Sequence, residues 1–292
     1  MDEIKNIDKR DNLRVTTSNA FISARGLSKL SLKAKKLLYI AITQCKKNDK
    51  EFYTHEISAI EFATLMDISP NSVYEESDRL TDELLRGILE VKHKGEKNYK
   101  KYSLFSLCQY EDGVIRFKLN PDMTEFFLEL QGDFSKPLLQ DFLKMKSGYS
   151  ISIWHMMQRE MHSAKPKTTD SIIFDLSLEE LRDVTDTENT YPQISEFKKN
   201  CFDLALKEIK QCCGVTVSYT NIKSGRSIIG FHCKVVSNFH IDESKIPQNV
   251  KDQARFNSLK AYSKEGILSP QEQKEYLELK RKFEDTQIEL SF

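Results

Sequence analysis

The sequence predicts an α+β protein made of two tandem halves of similar design, followed by a C-terminal helical extension. In each half, apolar residues recur at helical spacing and then alternate as in a strand hairpin. The order of short helix, loop, long helix and hairpin returns after about 120 residues, which indicates a duplicated architecture. After Val236 the chain becomes polar and prone to form helices. The domain boundaries we expect are 12–130, 137–240 and 245–292.

In the first half, Ser31 precedes an apolar pattern at helical spacing that predicts the first helix. Two further helices are expected over Ile57–Met66 and from Val73 to Leu89. A lysine-rich stretch then separates Ile88–Val91 from an apolar segment that begins at Tyr102, and Val114 to Leu119 alternates as a strand after Gly113. Three helices followed by a hairpin with a basic tip are the order of a winged helix, a variant of the helix-turn-helix.

The linking residues and the second half follow the same logic. A short helix is expected after Asn120-Pro121, and Leu138–Met145 fits either a helix or a strand. The elements predicted beyond it are a helix over Tyr149–Met161, an extended segment at Phe174, a short helix after the N-cap Ser177, a long helix over Ser195–Cys212, and a hairpin that turns at Ser224-Gly225-Arg226. This half is therefore also predicted to be a winged helix.

Length, hydropathy and cysteine content exclude several classes of protein. The chain has 292 residues, with 44 Lys and Arg against 44 Asp and Glu. No apolar run approaches the ~20 residues of a membrane helix, and the charged N-terminus lacks a secretory signal. The six cysteines form no C-x-x-C pair, so we expect reduced, mostly buried thiols in a cytoplasmic protein.

Charge is distributed in blocks although the total is zero. Residues 1–50 carry twelve basic against five acidic side chains, and residues 51–90 carry ten acidic against two basic ones. Residues 195–234 are basic again, with seven cations against three acids. Such blocks favour one positive surface that attracts phosphates. The alternative is a set of solvated helix faces whose charges cluster by chance.

The predicted helix 195–212 is the best candidate for contacting DNA. With Phe197, Cys201, Leu204, Ala205 and Ile209 turned inward, its polar residues share the outer face. Lysine and asparagine bond base edges in the major groove, and lysine also binds phosphate. The candidates on this helix are Ser195, Lys198, Lys199, Asn200, Asp203, Lys207 and Lys210. The alternative is an ordinary amphipathic helix with a solvated face.

Two hairpin tips add candidate phosphate contacts. Lys223, Ser224 and Arg226 surround the second turn, where the alternative is a plain polar turn. In the first half the candidates are Lys92, Lys94, Lys97, Lys100 and Lys101, and Arg25, Lys29, Lys33, Lys35 and Lys36 are possible helpers. The long helix of that half carries six carboxylates between Pro70 and Glu90, which a polyanion would repel. We expect this helix to face solvent, protein or the other half. The second half would then bind DNA, and the first half would mediate assembly of the protein.

No motif in the sequence indicates an enzyme. The six histidines show no zinc spacing with the cysteines, and His232 and Cys233 are neighbours on a strand, so they point to opposite faces. There is no P-loop, no G-x-S-x-G, and no histidine pair of the kind that a rolling-circle nickase requires. We therefore expect no catalytic residues, no metal and no cofactor.

Several segments together resemble the replication initiator proteins of iteron-containing bacterial plasmids. They are the stretch from Asn19 to Ile42, the stretch from Tyr191 to Ile209, and the hairpin from Val215 to Arg226. The resemblance covers roughly residues 12–237. It implies two winged-helix domains, of which the C-terminal one binds the direct repeats of the origin in the major groove. The N-terminal one would mediate dimerisation and add phosphate contacts.

The resemblance also implies a function by binding alone. Monomers on tandem repeats would promote origin opening and recruit host replication proteins such as a helicase or an initiator, and dimers would be inactive or autoregulatory, which gives copy-number control. Two alternatives remain open. A winged-helix transcription regulator would bind a palindromic operator as a stable dimer, and a protein-interaction scaffold would show no salt-dependent affinity for DNA.

Overall fold

The computed structural model describes residues 4–7, 12–46, 48–66, 68–92, 98–128, 130, 134–164, 171–237, 256, 259 and 273–281. Residues 1–237 form one compact unit, and residues 238–292 form a second one. Two winged helices share the first unit and a continuous apolar core. The mixture of helices and strands predicted from the sequence is confirmed.

The first winged helix combines three helices with a four-stranded sheet, in which Ile4–Asn6, Thr54–Ser58, Val114–Leu119 and Phe105–Glu111 lie side by side in that order. Its first elements along the chain are short: β1 (Ile4–Asn6), β2 (Thr17–Ser18), α1 (Asn19–Ile22) and a 3-10 turn at Leu27–Lys29. Its main elements are α2 (Leu32–Thr43), β3 (Thr54–Ser58), α3 (Ala59–Met66), α4 (Val73–Arg86), β4 (Ile88–Lys92), β5 (Tyr99–Ser103), β6 (Phe105–Glu111) and β7 (Val114–Leu119). A 3-10 turn at Pro70–Ser72 leads into α4.

The second winged helix repeats this plan with a three-stranded sheet, in which Val215–Ser224, Ser227–Ser237 and Ser171–Ser177 lie side by side in that order. The linking elements are a 3-10 turn at Pro121–Met123, α5 (Thr124–Phe127), β8 (Phe134–Ser135) and α6 (Leu139–Lys144). The winged helix itself consists of α7 (Gly148–Ser163), β9 (Ser171–Ser177), α8 (Leu178–Thr185), α9 (Ile194–Phe197), a π-helical turn (Lys198–Phe202), α10 (Asp203–Cys213), β10 (Val215–Ser224) and β11 (Ser227–Ser237).

Local chemistry explains where the helices begin and end. The hydroxyls of Ser31 and Ser177 accept hydrogen bonds from Ala34 N and Glu180 N, as the sequence predicted for these N-caps. At the other end, α10 stops because Gly214 adopts a left-handed conformation (φ 64°), which terminates a helix at little steric cost. Leu138–Met145, left open between helix and strand, contains the helix α6.

Two expectations for the first half were wrong. Ile57 lies in β3 rather than in a helix, because it pairs with Ile115 on β7 and its side chain fills the core. The hairpin with the lysine-rich tip, β4–β5, forms its own two-stranded sheet. The hairpin that pairs with β3, and thus occupies the wing position, is β6–β7, and its tip is the acidic Glu111-Asp112-Gly113.

A buried histidine joins the two winged helices. His155 on α7 lies between the hydroxyl of Thr17, 3.0 Å from Nε2, and the hydroxyl of Tyr39 on α2, 3.0 Å from Nδ1. The Phe142 ring packs against the imidazole at a centroid distance of 5.4 Å. Burial, with a smaller contribution from the charge of Arg159, lowers the pKa of His155 to about 3. The imidazole is therefore neutral in the folded protein and acts as a hydrogen-bonding link.

An ionic cluster reinforces the same interface. Arg159 on α7 donates hydrogen bonds to the hydroxyl of Ser23 and to both carboxylate oxygens of Glu180 on α8. Ser23 also donates to Glu180, over 2.8 Å. Nearby, Arg25 and Asp183 form an ion pair at 2.7 Å. These contacts fix residues just after α1 against α8, across the two winged helices.

The second unit is described at few positions. Phe256 and Leu259 are buried, and the Phe256 ring stacks on Tyr276 at a centroid distance of 5.7 Å. Residues 273–281 are helical, which agrees with a helical extension over that stretch. The remainder of 245–292 lies outside the described residues. In the parts of the chain that the structure describes, no helix combines the length and the apolar character needed to cross a membrane.

Candidate nucleic-acid interface

The basic helix of the second winged helix, defined as residues 194–213, is fixed by contacts on its inner side. Its inner side packs through Phe202, whose ring stacks on Phe231 of β11 at a centroid distance of 4.6 Å. Near its C-terminal end, Glu208 accepts hydrogen bonds from Lys146 N and Ser147 N, at 2.6 and 3.2 Å, immediately before α7. The helix therefore presents one fixed face to solvent.

The exposed face carries most of the polar residues that the sequence predicted to contact DNA. Ser195, Lys199, Asp203, Lys207 and Lys210 are exposed, and Asn200 is half-buried. Among the residues that the structure describes, the ammonium groups of Lys199, Lys207 and Lys210 make no ion pair. A row of unpaired cations on a rigid helix attracts a polyanion, because contact does not require breaking an existing salt bridge.

Lys198 differs from its neighbours, because it is anchored to the wing. Its Nζ lies 4.9 Å from the centroid of the Tyr219 ring on β10 and 3.4 Å from Oδ1 of Asn221. Tyr219 in turn donates a 2.6 Å hydrogen bond to Asp203 on the basic helix. Burial and this bond to a carboxylate raise the pKa of the Tyr219 hydroxyl. Lys198 therefore belongs to the junction between helix and wing rather than to the fully exposed face.

The expected inward position of Leu204 was wrong. Its side chain is 57 % exposed, whereas Leu206, which was not nominated, is buried. The reason is the π-helical turn at Lys198–Phe202, which inserts one extra residue and rotates all later positions by roughly 100°. Periodic spacing of 3.6 residues, applied across this turn, cannot give the correct face.

The wing is a long hairpin with a basic tip. Strands β10 and β11 pair from Val215 and Ser237 to Ser224 and Ser227, with an irregularity between Ile222 and Lys223. Gly225 makes the turn with a φ of 60°, a conformation that glycine adopts at low cost. The three nominated residues Lys223, Ser224 and Arg226 are all exposed here. The anchoring of Lys198 over Tyr219 ties the base of this wing to the basic helix.

The corresponding helix of the first winged helix, α4, is acidic, and several of its carboxylates pair with neighbouring side chains. Glu76 forms ion pairs with Lys33 at 2.7 Å and with Arg79 at 2.8 Å, and these two hydrogen-bonded cations lower its pKa. Glu83 accepts hydrogen bonds from the backbone and the hydroxyl of Ser31. The acids of α4 thus hold α2 in place, which is consistent with the expectation that this helix does not bind DNA.

The possible helper cations of the first half mostly have structural partners. Lys35 is buried, donates to the carbonyl of Gly148 and has its pKa lowered to about 8 by burial, so the expectation that it helps to bind phosphate was wrong. Lys36 bonds the carbonyl of Leu143 at 2.7 Å. Arg25 is paired with Asp183, and Lys33 with Glu76. Lys29 is exposed.

The β4–β5 hairpin keeps exposed lysines. Lys92 and Lys100 are exposed, and Lys101 is paired with Glu90 at 3.3 Å. Lys94 and Lys97 lie outside the described residues. The hairpin is attached to the segment after α1 by two backbone hydrogen bonds between Arg25 and Glu90, each of 2.9 Å. At Gly26 (φ 104°) a Cβ would lie 2.0 Å from the Ile88 carbonyl oxygen, so only glycine permits this close approach.

Other chemistry finds little support within the described residues. There, no group of three or more His, Cys, Asp or Glu side chains is placed to hold a metal ion. The six cysteines are free thiols. Burial raises the pKa of Cys201 and Cys233 to about 12, which keeps these two thiols protonated and unreactive.

Comparison with known proteins also finds two winged-helix parts in this chain. Residues 14–158 match the family model described as "Initiator Replication protein, WH1", and residues 177–234 match "Initiator Rep protein, WH2". The chain is 23 % identical over 265 residues to the PI protein of Escherichia coli, across 80 % of this chain and 85 % of that protein. Its fold is similar to that in the crystal structure of the Pi initiator protein in complex with iteron DNA, with a TM-score of 0.64 and 19 % identity over 78 % of this chain and 99 % of that one.

Proposed function

The chain belongs to the initiator replication protein family with two winged-helix domains, and from this premise we propose that it initiates plasmid replication by binding tandem direct repeats (iterons) at an origin. One observation carries the proposal. The two winged helices share a plan, yet the basic helix exposes unpaired lysines, whereas the exposed charged residues of α4 include the acids Glu75, Asp78 and Asp82. The second winged helix is thus the one suited to double-stranded DNA.

The arrangement supports a division of labour within the second winged helix. Lys199, Lys207 and Lys210 on the basic helix are suited to the major groove, where lysine bonds both guanine edges and phosphates. Lys223 and Arg226 at the wing tip are suited to the adjacent phosphates, with Ser224 as a neutral donor between them. Asn200 and Ser195 supply further hydrogen-bonding groups, and Asp203 is a candidate acceptor from cytosine N4.

The first winged helix has two proposed roles. Its exposed Lys92 and Lys100, with Lys101, Lys94 and Lys97, would contact phosphates beside the repeat. Its remaining surface would mediate a homodimer that is inactive in initiation or represses the gene of this protein. Monomers bound side by side would bend the origin, since the added contacts offset the cost of deforming DNA, and would recruit a host helicase or initiator.

The deciding experiment is a titration of the protein onto the repeat-bearing DNA that flanks its own gene. It is done at two salt concentrations and with scrambled DNA as the control. Stepwise occupancy of tandem repeats, with an affinity that falls steeply as salt rises, is the expected result. Binding to a single palindrome would instead establish a transcription regulator. Equal affinity for scrambled DNA would remove the proposed function.

A further inference from the structure

Leu204 is the exposed apolar residue at the centre of the basic helix. Its side chain is 57 % exposed. It is an apolar residue on a surface where the ten candidates for DNA contact, on this helix and the wing, are all charged or polar. The π-helical turn at Lys198–Phe202 places it there, since that turn rotates the rest of the helix. Such turns occur frequently at functional sites, because they re-aim the side chains that follow.

The surroundings of Leu204 indicate what covers it. Lys199 and Asn200 precede it by one turn, and Lys207 follows it by one turn. An apolar protein partner would bury these unpaired ammonium groups at a high cost in desolvation, whereas a polyanion is attracted by them. The charge around Leu204 therefore favours DNA as the occupant over a second protein or a second copy of the chain.

The floor of the major groove offers one apolar group, which is the 5-methyl group of thymine. We propose that Leu204 packs against a thymine methyl in the repeat and so makes this chain select an A·T pair at one fixed position. The proposal rests on the proposed function and deepens it, because it assigns the sequence preference to an apolar contact as well as to hydrogen bonds. The neighbouring lysines position the helix, and Leu204 distinguishes thymine from cytosine.

The test removes the methyl group from the DNA rather than only the leucine from the protein. The wild-type chain first selects its site from a random duplex library. Each thymine of the selected site is then replaced, one at a time, by deoxyuridine, which keeps every hydrogen-bonding group. Binding of each duplex is measured with the wild-type chain and with Leu204→Ala. Ile60→Ala, which shortens an apolar side chain that is 72 % exposed on α3, is the matched control.

One deoxyuridine position is expected to weaken wild-type binding by roughly threefold to fivefold, the effect of losing one buried methyl group. The same substitution is expected to leave the Leu204→Ala variant unaffected, and Ile60→Ala is expected to behave as the wild type. The inference would be overturned, while the proposed function stands, if no deoxyuridine substitution weakened wild-type binding. It would also be overturned if a deoxyuridine substitution weakened binding of the wild type and of Leu204→Ala equally. Failure of the wild-type chain to select any site would overturn both.

Discussion

The ammonium group of Lys198 lies over the ring of Tyr219, with Nζ 4.9 Å from the ring centroid. This contact joins the start of the π-helical turn to the middle of β10. Its neighbour Lys199 is exposed and makes no ion pair with the residues that the structure describes. Two adjacent lysines of the same helix therefore have different surroundings, one at the junction with the wing and one on the outer face.

Replacement of these two lysines by alanine is expected to separate the two roles. Lys199→Ala should weaken binding to the repeat by about 1–3 kcal/mol if it contacts a base, or reduce the salt slope by about one if it contacts a phosphate. Lys198→Ala should also lower the stability of the chain, because the packing over Tyr219 is lost. Salt-dependent titration together with urea unfolding measures both effects. Identical behaviour of the two variants in both measurements would contradict the assignment.

The exposed lysines of β4–β5 are expected to contribute affinity without sequence preference. The double variant Lys92→Ala/Lys100→Ala should reduce the salt slope by up to about two, because phosphate contacts are lost. It should also weaken binding to the repeat and binding to scrambled DNA by the same factor. Asp112→Asn at the tip of β6–β7 is the control, and it should leave the slope unchanged. A change in the preferred sequence of the double variant would show that this hairpin contacts bases.

The buried His155 is expected to make the fold sensitive to acid. Its pKa is about 3 in the folded protein, against a usual value of 6.5. Between these values the unfolded chain binds a proton that the folded protein does not, so the free energy of unfolding falls as the pH falls. The slope approaches about 1.4 kcal/mol per pH unit for this one group.

The measurement is urea unfolding at several values between pH 7 and pH 4. His155→Gln, which keeps a polar side chain and cannot titrate, should show a shallower decline than the wild type. His162→Gln, at an exposed histidine of the same helix, should follow the wild-type decline. Parallel curves for wild type and His155→Gln would show that other groups cause the acid sensitivity.

The Arg159–Glu180 ion pair joins α7 to α8, and because both residues also hydrogen-bond Ser23, it is expected to stabilise the junction with the first winged helix. The Arg159 side chain is only 11 % exposed, so Glu180→Gln leaves a buried guanidinium with less countercharge. The expected loss is about 1–3 kcal/mol in the free energy of unfolding. Chemical denaturation measures it, with Glu188→Gln on the exposed loop after α8 as the control. A similar loss in both variants would assign no special role to the junction.

Local sequence signals predicted much of this fold correctly. Ser31 and Ser177 begin helices as expected, and the turn at Gly225 lies between two strands as expected. These features depend on a few neighbouring residues, which is why periodicity and capping rules found them. The predicted family membership and the two winged helices are confirmed by both family models.

Errors arose where partners distant in sequence decide the structure. The wing of the first half was misplaced because strand pairing with β3 is invisible in the local pattern, and β6–β7 rather than β4–β5 makes that pairing. Lys35 carries a charge that suggested a surface position, yet α2 turns it toward the carbonyl of Gly148. The expected positions of the DNA contacts remain predictions.

The sequence by itself determined the repeated plan of helices followed by a hairpin, the charge contrast between α4 and the basic helix, and the family to which the chain belongs. Only the tertiary structure decided that Leu204 faces outward on the basic helix and Leu206 inward. A single extra residue in the π-helical turn, held by the packing of Phe202 on Phe231, exposes Leu204. Helical periodicity assumes 3.6 residues per turn throughout, so a local change in pitch that long-range packing stabilises cannot be derived from it.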